Sequence, residues 1–216
     1  MKKLVILGGS GIGMIAASVA DSLGYYEVAG FLNDALPVGS EVGKYKKIPV
    51  IGTTEDVEKY VRENCYFFIA YVGLQNEKAT FHKVETLPIP PDRFATLIHH
   101  TAIIPKGYAK IGNGCLFSPL CQLSPDTTIA DNCILLPNSF VGHDSTLERF
   151  AHVATNGVIG ANVLVGKAVH IGSNATIREK VKIGDFSLIG AGSVVLNDVP
   201  ENSIVVGNPA KLLKQR

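Results

Sequence analysis

The chain has 216 residues, with 20 Lys and Arg against 19 Asp and Glu, and a formal charge of +1. It has no basic tract, which argues against nucleic acid as a partner, and no apolar run of the ~18 residues that a membrane span requires. Too few apolar residues precede the first glycines for a signal-peptide core, so we expect a soluble, cytoplasmic protein of one large or two small domains.

The first predicted element is a βαβ unit with a glycine-rich first turn. An apolar strand leads into GGSGIG, residues 8–13, a helix follows, and the second strand ends in FLND, residues 31–34. Such glycines let the backbone approach a phosphate or sugar, and the helix N-terminus supplies free N–H groups. Met14 stands where G-x-G-x-x-G requires its third glycine, so a tight turn without a ligand is the alternative.

A further buried strand ends at Gly73, and its carboxyl end is expected beside the first turn, where open parallel sheets bind ligands. Only three or four strands fit before residue 87. Residues 1–87 are therefore predicted to form a truncated Rossmann-like α/β domain that binds a mononucleotide or nucleotide-sugar. Residues 88–98 begin in a proline-rich stretch and are predicted to be a linker.

The remainder of the chain, residues 99–216, carries a six-residue repeat. From residue 111 every sixth position is apolar, and the fourth residue after each is small or β-branched. This pattern predicts a parallel β-helix in which three six-residue sides form an 18-residue coil. Glycine often follows the apolar position, where a corner requires either a positive φ or tight packing. A three-sided prism also predicts a homotrimer as its closed assembly.

Cys115, Cys121 and Cys133 fall in the small position of this repeat and are expected to be packing residues. The repeat is complete over fifteen consecutive apolar positions. These are Ile111, Phe117, Leu123, Ile129, Leu135, Val141, Leu147, Val153, Ile159, Val165, Ile171, Ile177, Ile183, Ile189 and Val195.

The 18-residue coil also predicts where the histidines of VGHDSTLERFAHV, residues 141–153, lie. Residues nine apart lie on different sides of one coil, so His143 and His152 are expected to meet only across a subunit boundary. His170 should stack one coil above His152, with an exposed histidine as the alternative. A carboxylate such as Asp144 orients a neighbouring imidazole and raises its basicity, as a general base requires; an exposed turn histidine is the alternative for His143.

The order of these segments resembles the NeuD/PglD-type acetyltransferases. GGSGIG, FLND, the hexapeptide repeats, VGHDSTLERFAHV and the terminal VVGNPAK together cover essentially the whole chain. The resemblance implies a left-handed parallel β-helix and transfer of acetyl from acetyl-CoA to the amine of a UDP- or GDP-linked amino-dideoxysugar, in bacterial glycan or glycoprotein sugar biosynthesis. Two alternatives stay open: sugar O-acetylation of the sialic-acid type, and a non-catalytic or metal-binding trimeric β-helix.

The resemblance also implies roles for single residues. By position, His143 is similar to the general base, Asp144 to its partner, and His152 to the histidine that contacts the acetyl group. The implied coenzyme contacts are Ala161, Ser173, Ala191, Gly207 and Pro209. The implied nucleotide-sugar contacts are Ser10, Gly11, Ile12, Asn33, Asp34 and Gly73.

Three residues depart from the family pattern. Ile12 replaces a frequent histidine and Asn33 a frequent aspartate, so the choice between UDP and GDP and the ring carbon that bears the amine stay open. Asp144 stands where glutamate is common, and its side chain, shorter by one methylene, is expected to reach His143 differently. We expect no metal. The zinc-binding β-helices carry two histidines five residues apart, and His143 is not part of such a pair.

Overall fold

The computed structural model describes residues 1–71 and 77–216, and the chain divides into two compact units, residues 1–100 and 101–216. The whole segment predicted as a linker, residues 88–98, belongs to the first unit, where it contains a 3₁₀ turn over Pro91–Arg93 and a short strand. Each unit is described below by itself.

The first unit is an α/β domain. In the described residues its helices are α1 (Ile12–Leu23), α2 (Val57–Arg62) and α3 (Glu77–Glu85). Its strands are β1 (Lys2–Leu7), β2 (Tyr26–Leu32), β3 (Glu41–Val42), β4 (Ile48–Gly52), β5 (Tyr66–Ile69) and β6 (Leu97–Ile98). One sheet has the order β3-β4-β2-β1-β5 and is parallel except for β3. It has one strand more than the predicted three or four, because two-residue β3 is too short to produce a sequence pattern.

The inner strands β1 and β2 and the edge strand β5 are mainly apolar, as parallel strands covered on both sides should be. Their carboxyl ends meet at one edge of the sheet. The amide of Ala70 donates a hydrogen bond to the Leu7 carbonyl at 2.8 Å, and the amide of Gly8 donates to the Leu32 carbonyl at 2.9 Å. The prediction that β5 ends beside the first turn is therefore confirmed, but this strand ends at Ile69 and not at the predicted Gly73.

The second unit is a left-handed parallel β-helix with three faces. Face 1 contains β7 (Ala109–Ile111), β10 (Thr127–Ile129), β13 (Thr146–Leu147), β16 (Leu164–Val165) and β19 (Lys182–Ile183). Face 2 contains β8 (Leu116–Phe117), β11 (Ile134–Leu135), β14 (His152–Val153), β17 (His170–Ile171), β20 (Leu188–Ile189), β22 (Ser203–Val206) and β23 (Lys211–Gln215). Face 3 contains β9 (Gln122–Leu123), β12 (Phe140–Val141), β15 (Val158–Ile159), β18 (Thr176–Ile177) and β21 (Val194–Val195).

The predicted 18-residue coil is confirmed by the strand register, which pairs Ile134 with His152 and His152 with His170. Fourteen of the fifteen apolar repeat positions are at most 2% exposed. The exception, Ile111, is half-buried in the first strand of face 1. Cys115, Cys121 and Cys133 are buried, and none of these three thiols is in a disulfide, as the packing interpretation predicts.

The corners show how the backbone turns every six residues. The third residue after the apolar position has a φ of about +50 to +70° at every corner from Gly114 to Gly192, in the left-handed region that Asn and Asp tolerate best after glycine. The glycines that directly follow the apolar position do not have such a φ. A Cβ on Gly142 would lie 2.7 Å from the Ala161 amide nitrogen of the next coil, so these glycines allow close stacking of coils.

Candidate active site

The first unit has a cavity of about 470 Å³ at the carboxyl ends of β1, β2 and β5. Three loops line it, as the prediction for an open parallel sheet requires. They contribute the residues Gly8, Gly9, Ser10, Gly11, Ile12, Asn33, Asp34, Ala35, Ala70 and Tyr71. The structure thus brings together five of the six predicted nucleotide-sugar contacts, and Gly73 lies outside the described residues.

The glycine turn is shaped by Asn33. The side-chain oxygen of Asn33 accepts hydrogen bonds from the amides of Ala35 at 2.8 Å and Leu36 at 2.9 Å. This fixes the amide so that its nitrogen would lie 2.7 Å from a Cβ placed on Gly9. A larger residue at position 9 would therefore push the Asn33 amide out of this position.

Asp34 is held by its own contacts at the cavity wall. One carboxylate oxygen accepts hydrogen bonds from the Thr54 amide at 2.7 Å and the Thr54 hydroxyl at 2.9 Å, and the other pairs with Lys83. Burial raises the pKa of Asp34, but the hydrogen bonds from Lys83 and Thr54 outweigh burial and lower it. Asp34 is consequently a fixed anion at the cavity wall.

Sequence reasoning missed Tyr71, which also lines this cavity. Its hydroxyl is buried and has no hydrogen-bond partner among the described residues. Burial, and then the charge of Asp34, raise the pKa of Tyr71 to about 12, so the phenol stays protonated. One sequence signal could have identified Tyr71. It is a polar aromatic residue just after a buried strand whose carboxyl end lies at the ligand-binding edge of the sheet.

In the second unit, His143 and Asp144 form a pair at the corner between β12 and β13. His143 Nδ1 lies 2.6 Å from Asp144 Oδ2, and the two side chains are 59% and 52% exposed in the single chain. When Nδ1 carries the proton and donates to the carboxylate, Nε2 presents a free lone pair. Asp144 also has a φ of 58°, in the left-handed region that Asp tolerates well. Aspartate therefore suits this corner for its backbone conformation as well as for its contact with His143.

The predicted coenzyme contacts lie on two different edges of the prism. Ala161 belongs to the His143 corner, defined as residues 142–145 and 160–163 between faces 3 and 1; the Asn162 amide donates to the His143 carbonyl at 2.8 Å. Ser173 and Ala191 stack at the Ser173 corner, defined as residues 172–175 and 190–193 between faces 2 and 3.

The terminal VVGNPAK segment joins the Ser173 corner. The Gly207 amide donates to the Ser193 hydroxyl at 3.1 Å, and the Val194 amide donates to the Gly207 carbonyl at 2.9 Å. The Ala210 amide, directly after Pro209, donates to the Val194 carbonyl at 2.7 Å. Four of the five residues predicted around the coenzyme therefore cluster at one edge, and Ala161 lies with His143 at another.

His152 and His170 contact one another on face 2. Their Nδ1 atoms are 2.8 Å apart, and the rings meet edge to face with centroids 4.5 Å apart. Burial, and then the neighbouring His170, lower the pKa of His152 to about 3. Burial, and then the charge of Arg216, lower the pKa of His170 to about 4. The stacking predicted for His170 is confirmed, and both imidazoles are neutral near pH 7.

These low pKa values predict acid sensitivity of the fold. Below pH 6.5 the unfolded histidines take up protons that the folded pair resists, so the free energy of unfolding should fall as pH drops from about 6.5 towards 4. The slope should reach about 1.4 kcal/mol per pH unit for each imidazole. Urea unfolding at pH 7.5, 6.0 and 5.0 measures it. A His152→Leu/His170→Leu double variant should lose this part of the slope, and an equal slope in both proteins would contradict the assignment.

Two other features bear on the classes of function. Across residues 1–71 and 77–216, no group of three or more His, Cys, Asp or Glu side chains is arranged to hold a metal ion. In the same part of the chain, no helix has the length and apolar character needed to cross a membrane.

Two domain families match the sequence. The PglD N-terminal domain matches residues 3–82, and the bacterial transferase hexapeptide family, in its six-repeat form, matches residues 162–197. A comparison with curated proteins finds no match. The two domain matches fall in different units of the structure, one on the α/β domain and one on the β-helix.

Solved structures similar to the chain cover nearly its whole length. The acetyltransferase domain of PglB from Neisseria gonorrhoeae is 28% identical with a TM-score of 0.85, over 99% of this chain and 100% of that one. The same domain in complex with acetyl coenzyme A has a TM-score of 0.84 at 28% identity, over 98% and 99% of the two chains. A histidine-to-asparagine variant of perosamine N-acetyltransferase from Caulobacter crescentus, in complex with CoA and GDP-perosamine, is 21% identical with a TM-score of 0.86, over 100% and 98%. At that identity the third structure shows a shared fold.

Proposed function

Since the chain belongs to the NeuD/PglD-type sugar acetyltransferases, we propose that it moves acetyl from acetyl-CoA to the amine of a UDP- or GDP-linked amino-dideoxysugar, as a homotrimer in the cytoplasm. The PglB domain that resembles it over almost its whole length is an acetyltransferase domain and binds acetyl coenzyme A. The match to the PglD N-terminal domain, together with the cavity at the glycine turn, supports a nucleotide-linked acceptor.

The observation that carries the proposal is the His143–Asp144 pair. A contact of 2.6 Å between Nδ1 and the carboxylate orients the imidazole with Nε2 outward. In the reaction Nε2 takes a proton from the sugar amine as its nitrogen attacks the thioester carbonyl carbon. The C–N bond forms, the C–S bond breaks, and the proton passes to the leaving thiolate to give free CoA and an N-acetyl sugar. The transfer is direct, and the buried thiols of the β-helix take no part.

The proposal places the active site between subunits. His143 and Ala161 lie on one edge of the prism, whereas Ser173, Ala191 and the Gly207 segment lie on another. Within one chain the face-3 strands separate these two edges. In a homotrimer packed side against side, the His143 corner of one subunit faces the Ser173 corner and His152 of the next. The coenzyme then lies along the Ser173 corner, and His152 contacts the acetyl group.

An acceptor panel tests the reaction. Release of free thiol from acetyl-CoA is followed with UDP- and GDP-linked amino-dideoxysugars and with the matching hydroxyl sugars. The proposal predicts turnover with at least one amine and none with its hydroxyl analogue. Turnover only with hydroxyl acceptors would replace N-acetylation by O-acetylation, and no thiol release with any acceptor would overturn the proposal.

A mixing experiment tests the shared site. Co-expression of His143→Ala with His152→Leu chains gives mixed trimers in which some boundaries combine an intact His143 with an intact His152. Random assembly from equal amounts restores about one quarter of the sites. Each variant expressed alone is the control. If the mixed trimers are no more active than the parents, the two histidines do not meet across a subunit boundary.

A further inference from the structure

A row of side chains along face 2 changes character at two positions. In each face-2 strand, the residue that directly precedes the apolar core residue lies in this row. The strand register pairs these residues one above the other. The row runs Leu116, Ile134, His152, His170, Leu188 and Ile204. It is aliphatic except for two adjacent histidines, although leucine evidently fits the same place. Packing alone therefore does not explain the two histidines, and we look for a role that requires the imidazole nitrogens.

One hydrogen bond joins the two rings through their Nδ1 atoms. Both are neutral near pH 7, and their Nδ1 atoms are 2.8 Å apart, so one Nδ1 donates and the other accepts. His152 is 6% exposed, and its Nε2 is buried without a partner among the described residues. A buried polar atom with no partner is uncommon in a native fold, and one at a reactive site indicates a group held ready for a ligand.

We propose that His170 is a positioning residue that donates its Nδ1–H to Nδ1 of His152 and thereby leaves the proton of His152 on Nε2. The inference rests on the proposed function, in which His152 contacts the acetyl group. The thioester carbonyl oxygen is an acceptor and gains negative charge as the amine attacks, so the ring that meets it has to present an N–H. Nε2 is the one nitrogen of His152 that His170 does not engage.

Burial, together with Arg216, keeps His170 neutral. The positive charge of Arg216 acts on His170 and disfavours further protonation of that ring. The Arg216 backbone amide donates to the Asn202 carbonyl at 2.7 Å, which ties this residue to the β-helix. A neutral His170 carries one proton, and on Nδ1, the nitrogen that faces His152, this proton completes the 2.8 Å hydrogen bond between the rings.

The tautomers can be read directly. In the full-length protein labelled with ¹⁵N-histidine, two-bond ¹H–¹⁵N spectra at pH 7.5 should show His152 protonated at Nε2 and His170 at Nδ1. Single variants at the two positions assign the signals, and the exposed His82 is an internal reference. Acetyl-CoA without sugar should shift the His152 Nε2–H. A His152 protonated at Nδ1 in the native protein would overturn the proposal.

Kinetics provide the second arm. His170→Leu, which matches the leucines of the row, should lower kcat about tenfold and change the KM for acetyl-CoA less than about twofold, while its melting temperature is maintained. His170→Asn, whose amide nitrogen takes the place of Nδ1, should recover kcat to within about threefold. His82→Leu is the matched control. An unchanged kcat in His170→Leu would refute the positioning role. Absence of thiol release by the native protein would instead refute the proposed function, and the tautomers would still be measurable.

Discussion

His143→Ala is expected to lower kcat at least a hundredfold, because a general base contributes roughly 10²–10⁴ in rate. The thermal unfolding of this variant should be unchanged, since the imidazole is 59% exposed in the single chain and contributes little packing. Thiol release at saturating acetyl-CoA, with the acceptor identified from the panel, measures the loss. Unchanged turnover would remove His143 from the role of general base.

Asp144→Asn is the matched control for that experiment. Asparagine occupies the equivalent corner position at Asn132, Asn138 and Asn156 with the same positive φ, so the backbone should be maintained. The amide oxygen can still accept from His143 Nδ1, but the negative charge beside the ring is lost. We therefore expect a smaller loss of kcat, about threefold to tenfold.

Gly172→Ala is expected to reduce the free energy of unfolding by about 2–4 kcal/mol and the melting temperature by roughly 5–15 °C. A Cβ on Gly172 would lie 2.6 Å from the Ala191 amide nitrogen and 2.7 Å from the Ile189 carbonyl oxygen. Both are backbone atoms of the next coil, which cannot withdraw without lengthening the ladder hydrogen bonds. Chemical and thermal denaturation at matched protein concentration measure the change.

Gly192→Asn provides the contrast at the same edge of the prism. Gly192 has a φ of 69°, which would ordinarily mark it as the irreplaceable glycine, yet a Cβ there would meet no atom within 4 Å. The equivalent corners already accept Asn, Asp, Leu, Phe and Lys. The free energy of unfolding should change by less than about 0.5 kcal/mol. A larger loss in Gly192→Asn than in Gly172→Ala would contradict the assignment of close packing to Gly172.

The glycines illustrate where sequence reasoning stops. The repeat showed that glycine favours the place after the core residue, and it left two physical reasons open, a positive φ or tight packing. In the structure the reason is tight packing at Gly142 and Gly172. The positive φ lies two residues after each of these glycines. The sequence could not make this choice, because the distance between neighbouring coils depends on residues 18 positions away.

The first unit shows the same limit in another form. The βαβ pattern and the expected edge of the sheet were predictable, because strand period and turn glycines are local signals. The contacts of Lys83 and Thr54 with Asp34 were not predictable, because they join segments far apart in sequence.

By itself the sequence determined the coil, its core positions and the stacking of His170 on His152, because the apolar residue recurs every six positions throughout the β-helix. It also determined that His143 and His152 lie on different sides. Only the tertiary structure decided that His152 is buried against His170 with one nitrogen unpartnered, and that Asp144 occupies a left-handed corner beside His143. Ring orientation and hydrogen-bond partners depend on non-local packing, which no periodicity encodes.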